Sequence, residues 1–256
     1  MEIEVYKNCL LRCVGDPANQ LLLLVPGFAD NGTMFTGLFS TPLVERFRLV
    51  AVDLPGFGSS PRNVQIQTLQ DFGLFIAELA TELRGDRQVG IVGHSVASII
   101  SVHACERLQR EALGLFSIEG NLTSADAYFS GKAADHARPD EFKAALLREI
   151  WARAAAEPIL RRYCSSILSA DSDAMWLLGN DLRHYSADVS GQQFIALQLP
   201  KLVYWSPANV PDETRQWIKG HPLLPNLQFH DSTHWPTVDR PSETAKAIGQ
   251  FFERKL

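Results

Sequence analysis

Cysteine is scarce in this 256-residue chain, which carries four: Cys9, Cys13, Cys105 and Cys164. Their spacing makes no disulfide framework. Cys9 and Cys13, on one extended strand, would stand roughly 13 Å apart, beyond disulfide reach. Long apolar runs are also missing, and a stretch such as Leu21–Val25 is far too short to cross a bilayer. Positive charge is not concentrated anywhere. The 24 Lys and Arg are scattered among 29 Asp and Glu, for a formal net charge of −5. That argues against a basic stripe tracking nucleic-acid phosphates and against a polybasic segment seated on anionic lipid. Neither nucleic acid nor membrane is therefore an expected partner. Met1-Glu2-Ile3-Glu4-Val5 lacks both the charged and the apolar region of a signal peptide. Together these absences lead us to expect a reduced, cytoplasmic protein.

What is present is an ordinary globular composition, 46% hydrophobic, with material for one large domain or two small ones. Ile3–Tyr6 and Leu10–Val14 read as strands around a turn at Lys7-Asn8. Leu21-Leu22-Leu23-Leu24-Val25 is apolar throughout, the mark of a strand covered on both faces in a parallel sheet. Phe47–Val52, Val89–Val92, Leu113–Ile118 and Lys201–Trp205 read the same way. Between them, Leu69, Phe72, Phe75, Ile76, Leu79 and Leu83 recur at helical steps. Pro241-Ser242-Glu243 opens another helix, carrying Ala245, Ile248, Phe251 and Phe252. Strands alternating with helices predict an α/β fold with a doubly wound, mostly parallel sheet.

The alternation lapses over 122–199. Helical periodicity continues there in Phe142–Ala155, Ile159–Leu168 and Met175–Leu178, and aromatics accumulate without strand alternation. We read 122–199 as a helical cap over a core made of 1–121 and 200–256. A plain run of sheet-covering helices is the alternative.

Chemistry concentrates in Gly93-His94-Ser95-Val96-Ala97, between an apolar strand and the apolar helix Ser98–Leu108. A strand-to-helix turn this tight presents its central serine above the sheet, and small residues two positions away relieve the crowding. The bland reading of Ser95 is a helix N-cap. Val25-Pro26-Gly27-Phe28 follows the most buried strand, where a loop brings an amide near the nucleophile. The N–H groups of Phe28 and Val96 would then form an oxyanion hole. The glycines of Val52–Ser60 fail the dinucleotide pattern, since Gly56-Phe57-Gly58 leads into Ser-Ser-Pro and no helix begins.

With "PGF", "DLPGFGSS", "GHSVAS" and "STHWPTVDRP" in this order, the chain resembles the α/β-hydrolase fold superfamily over nearly its whole length. The resemblance implies that fold with a helical cap insertion, and a serine esterase-like activity without metal or other cofactor. It also implies that His234, in the loop before the last helix, is the general base. His94 adjoins Ser95 and is expected to point away from it. The H-x3-H spacing of His230 and His234 suits zinc on a helix, yet the residues between form a turn and no third ligand is evident.

The acid is less direct. Where the family usually places it, after the penultimate strand, this chain has Asn209 in Trp205-Ser206-Pro207-Ala208-Asn209. Some members supply it instead from the preceding strand end, which here is Glu119 in "IEGN"; Asp212 is the alternative acid. An apolar pocket is expected from the aromatics Trp151, Trp176, Tyr185 and Trp235. The expected substrate is a small apolar carboxylic ester or lactone, cleaved through an acyl-enzyme. Two other readings stand beside it: a carbon–carbon bond hydrolase or lyase on the same fold, and a non-catalytic ligand-binding protein, which Asn209 keeps open.

Overall fold

The computed structural model describes residues 1–254. Its apolar runs form one sheet of eight strands: β1 (Glu2–Tyr6), β2 (Cys9–Val14), β3 (Gln20–Val25), β4 (Phe47–Val52), β5 (Val89–His94), β6 (Ala112–Ile118), β7 (Lys201–Trp205) and β8 (Asn226–Gln228). Their order is β1-β2-β4-β3-β5-β6-β7-β8. β1 and β2 pair antiparallel, as do β2 and β4, and every other pairing is parallel. The first hairpin turns through Lys7 and Asn8 at φ 45° and 67°. Two consecutive left-handed residues are what a two-residue loop needs to follow the strand twist.

Helices flank the sheet. α1 (Leu69–Arg84) starts on a capping box, with Thr68 and Asp71 each accepting the other's backbone N–H. α2 is Ala97–Leu108. The segment between β6 and β7 has 3₁₀ turns at Ser124–Ala127 and Ser130–Asp135, followed by α3 (Pro139–Arg153), α4 (Ile159–Ser169), α5 (Ser172–Asp188) and α6 (Ser190–Ala196). α5 runs beyond the expected Met175–Leu178 at both ends, and Asp171 caps its start by accepting from the Ala174 N–H at 2.9 Å. α7 (Asp212–Gly220), α8 (Pro236–Asp239) and α9 (Pro241–Glu253) complete the chain's helices among the described residues. α9 presses Phe251 against Phe116 of β6 and Phe252 against Phe47 of β4, with ring centroids 5.7 and 6.5 Å apart.

Register brings the chemistry-bearing segments together. Val25 pairs with Gly93, and His94 with Ile118. The loops leaving β3, β5 and β6 therefore emerge side by side at the carboxyl ends of the strands, where open α/β sheets gather their ligands. The "DLPGFGSS" loop is fixed from below. Buried Asp53 pairs with Arg12 and accepts the N–H groups of Gly32 at 2.8 Å and Ser59 at 2.9 Å.

Candidate active site

Ser95 sits at φ 55°, in the left-handed region that non-glycine residues seldom enter. Two backbone bonds hold it there. Its N–H donates to the Ile118 carbonyl at 2.8 Å, and its carbonyl accepts from the Ser98 N–H at 2.9 Å. The turn closes only because position 93 has no side chain. A Cβ on Gly93 would lie 2.6 Å from the Ala97 carbonyl oxygen and equally close to Ser101 Oγ. Gly27 is a second close approach, since a Cβ there would meet His94 Nδ1 at 2.7 Å and Ser95 Cβ at 3.1 Å. The loop after β3 thus lies against the serine. Among the described residues, the N–H groups of Phe28 and Val96 donate to no backbone acceptor.

Glu119 is 4% exposed and adopts φ 49°, directly after β6. Its backbone N–H donates to the Tyr204 carbonyl at 2.9 Å, and its Oε1 accepts the Ser206 N–H at 2.7 Å. Oε2 accepts from His234 Nδ1 at 3.2 Å. That bond puts the proton of a neutral His234 on Nδ1 and leaves Nε2 as the basic nitrogen. Burial raises the Glu119 pKa above the ordinary carboxylate value, while His234 and the Ser206 N–H pull it back. The His234 loop is pinned on both sides. Asp239 Oδ2 accepts the Thr233 N–H at 2.8 Å, and His94 Nε2 donates to the His234 carbonyl at 2.7 Å. Ser95 Oγ has no hydrogen-bond partner among the described residues. Bonds of this kind are often long without substrate and tighten in the reacting complex.

Ser95 and His234 line a cavity of about 410 Å³ together with Gly27, Phe28, Tyr128, Phe129, Tyr163 and Trp235. Three expected pocket aromatics lie elsewhere. Trp151 is 64% exposed on the outside of α3. Trp176 donates its indole N–H to the His136 carbonyl at 2.9 Å. Tyr185 bonds Gln193 and sets its ring 5.3 Å from His103. The accumulation of aromatics in 122–199 did not say which of them face the site, and the cavity takes Tyr128, Phe129 and Tyr163 instead.

Asp212 also lies away from His234. It begins α7 with its side chain 78% exposed and paired with Arg215, one helical turn on. Asn209 reaches the cavity, where its amide donates to the Ser232 carbonyl at 3.3 Å. His94 turns its ring to the His234 loop. Its buried ring lines the same cavity, with its centroid 4.7 Å from that of His234. Burial, followed by the nearby His234 charge, holds its pKa well below the ordinary imidazole value. Among the described residues, no group of three or more His, Cys, Asp or Glu is placed to hold a metal ion, and no helix is long and apolar enough to cross a membrane.

Asp30, which sequence reasoning passed over, is a buried junction beside this cavity. Its carboxylate accepts from Arg162 and Ser166 of α4 and from the indole of Trp235. Arg162 and Ser166 are four residues apart, a spacing that puts both on one helical face. That spacing was the available signal; the partner lies 132 residues away and was not legible.

Comparison with known proteins places the chain. A model of the alpha/beta hydrolase family matches residues 22–247. The chain belongs to that family, whose coarse functional class is hydrolase. No curated protein sequence matches it. Among solved structures, an N-acyl homoserine lactonase, AidH, complexed with N-butanoyl homoserine, superposes with a TM-score of 0.77 at 15% identity, covering 100% of this chain and 97% of that one. A thermophilic esterase from Thermogutta terrifontis gives 0.76 at 17% identity, covering 96% and 93%. The epoxide hydrolase CorEH gives 0.73 at 15% identity, covering 99% and 98%. At these identities the shared property is the fold, and the three chemistries differ.

Proposed function

We propose that the protein is a serine hydrolase of small carboxylic esters or lactones. Ser95 is the nucleophile, His234 the general base and Glu119 the acid of the triad. The observation that carries this reading is the 3.2 Å bond from His234 Nδ1 to buried Glu119 beside the strained Ser95 turn. Ser95 Oγ attacks the acyl carbon and its proton passes to His234 Nε2. The negative charge gathers on the carbonyl oxygen, before the N–H groups of Phe28 and Val96. Collapse expels the alcohol, which takes the proton from His234. Water then repeats the sequence on the acyl-enzyme and releases the carboxylic acid. Through both steps Glu119 keeps His234 in the productive tautomer and balances the imidazolium.

Residues 122–199 act as the cap of this site, a reading supported by the aromatics and Leu160 that they send into the cavity. Of the charged groups there, Arg153 pairs with Glu157 at 3.0 Å and Asp30 with Arg162 at 2.7 Å, while Asp126 accepts the Thr123 N–H at 2.8 Å and the Thr214 hydroxyl at 2.7 Å. Phe28, Phe129, Leu160 and Trp235 supply apolar surface. Such a lining suits a modest acyl or aryl group better than a strongly anionic one. The esterase and lactonase neighbours agree with that substrate class. With Glu119 bonded to His234, Asn209 no longer argues for a site without an acid.

Steady-state hydrolysis of p-nitrophenyl butyrate by the wild type and by Ser95→Ala tests the proposal. Clear wild-type turnover that falls to background in the variant is expected. Equal rates in both proteins would overturn it.

A further inference from the structure

The loop after β3 carries a strain that its own sequence does not relieve. Gly27 to Asp30 form a tight turn closed by the Asp30 N–H on the Gly27 carbonyl at 3.1 Å. The third residue of that turn is Ala29 at φ 55°, a position where glycine is usual. An L-residue there costs roughly 1–2 kcal/mol, so something outside the loop must hold it.

The holding groups come from α4. Tyr163 Oη donates to the Phe28 carbonyl at 2.9 Å, fixing the peptide that precedes Ala29. Asp30, on the other side of Ala29 and only 1% exposed, accepts five donors. They are Arg162 Nη1 at 3.1 Å and Nη2 at 2.7 Å, Ser166 Oγ at 3.1 Å, Trp235 Nε1 at 2.9 Å and the Asn31 N–H at 2.9 Å. Asn31 adds a bond of its own to Ser166 Oγ, at 3.2 Å. Ala29 is therefore bracketed by two residues that α4 grips. Trp235, next to His234, shares the Asp30 carboxylate, and its ring lies 5.2 Å from that of Tyr163. One buried acid joins the oxyanion loop, the base loop and a helix of the 122–199 segment.

We infer that Tyr163, Arg162 and Asp30 are positioning residues: through them α4 sets the Gly27–Asp30 turn that aims the Phe28 N–H at the reacting oxygen. The inference rests on the proposed oxyanion role of Phe28. None of the three needs to touch the scissile bond. Geometry in an oxyanion hole is used in the transition state and little in the ground state, so loosening the turn lowers kcat and leaves KM nearly unchanged. A helix that only stabilised the fold would change melting temperature without splitting the two constants.

Tyr163→Phe is the sharpest variant, since it deletes one oxygen and keeps the ring beside Trp235. Arg162→Lys is the second, keeping the charge and losing the bidentate fork. Each full-length protein is compared with the wild type by hydrogen exchange of the amides of 27–31 and by p-nitrophenyl ester kinetics, below the melting temperature. The expected result is loop exchange faster by about tenfold and kcat lower by about tenfold, with KM within about twofold. That is the scale of leaving one buried carbonyl unpaired. Unchanged exchange in both variants overturns the grip of α4 on the loop. Faster exchange with kcat unchanged overturns the positioning role. If Ser95→Ala hydrolyses as fast as the wild type, the serine reading is what fails, and the exchange arm still decides whether α4 holds the loop.

Discussion

His94 shows how much one residue's surroundings matter. Next to the serine in sequence, it spends its Nε2–H on the His234 carbonyl, and its buried Nδ1 faces the Gly27 turn with no partner among the described residues. A charge there would sit in a dry site beside His234, so the ring stays neutral in the folded protein. The linkage sign follows directly. Unfolded, the imidazole titrates near its ordinary value of about 6.5; folded, it titrates well below. Between the two values only the unfolded chain takes up the proton. The stability tied to this group is therefore full above about pH 6.5 and is lost as pH falls toward the folded value. Melting temperature measured from pH 8 down to pH 5 should fall more steeply for the wild type than for His94→Gln. Parallel curves would contradict the neutral, buried assignment. Sequence adjacency to Ser95 did not reveal that this ring meets His234, since it does not say which neighbour a side chain meets.

At the scale of elements, the strand–turn–helix around Ser95 depends on the missing side chain at Gly93. A methyl group there would lie against the carbonyl of Ala97, which belongs to α2 and cannot rotate away. Gly93→Ala should cost about 1–3 kcal/mol in urea unfolding, the range for overpacking a tight site, and should remove most activity. An unfolding midpoint and rate equal to wild type would show that the turn has slack. This element was legible in the sequence because small residues, a serine and two apolar runs state the geometry locally. The strands β3 to β7 were legible for a similar reason, each being an apolar run between breakers. β8 was not: all three of its residues are exposed and its sequence, Asn226-Leu227-Gln228, carries no strand signal. It forms because Pro225 and Asn226 come alongside β7, with the Val203 N–H donating to the Pro225 carbonyl at 3.0 Å. The aromatics expected in the pocket from 122–199 failed on similar grounds. Helical spacing sorts side chains onto faces, and tertiary packing then chose Tyr128, Phe129 and Tyr163 for the cavity while leaving Trp151 in solvent.

The whole molecule makes the site by register. Ser95 follows β5, Glu119 follows β6 and His234 follows β8, so three carboxyl ends of one sheet meet although 139 residues separate the first from the last. The sheet order and the family match over 22–247 give the frame. The frame does not fix the chemistry, since esterase, lactonase and epoxide hydrolase neighbours share it at 15–17% identity. Chemistry rests on which carboxylate serves His234, and the usual position holds Asn209, whose amide ties down the Ser232 carbonyl instead. Sequence could name Glu119 and Asp212 as candidates. Preferring Glu119 in the proposed site took the pairing of His94 with Ile118, which sets Glu119 beside Ser95, and the exposure of Asp212 at the start of α7. The most direct test is kcat/KM for p-nitrophenyl butyrate in Glu119→Gln and Asp212→Asn, measured side by side with the wild type. Glu119→Gln should lose activity on the order of 10⁴-fold, as when a triad acid becomes its amide, and Asp212→Asn should stay within about twofold. A Glu119→Gln enzyme as active as the wild type, or a collapse confined to Asp212→Asn, would contradict the Ser95–His234–Glu119 site.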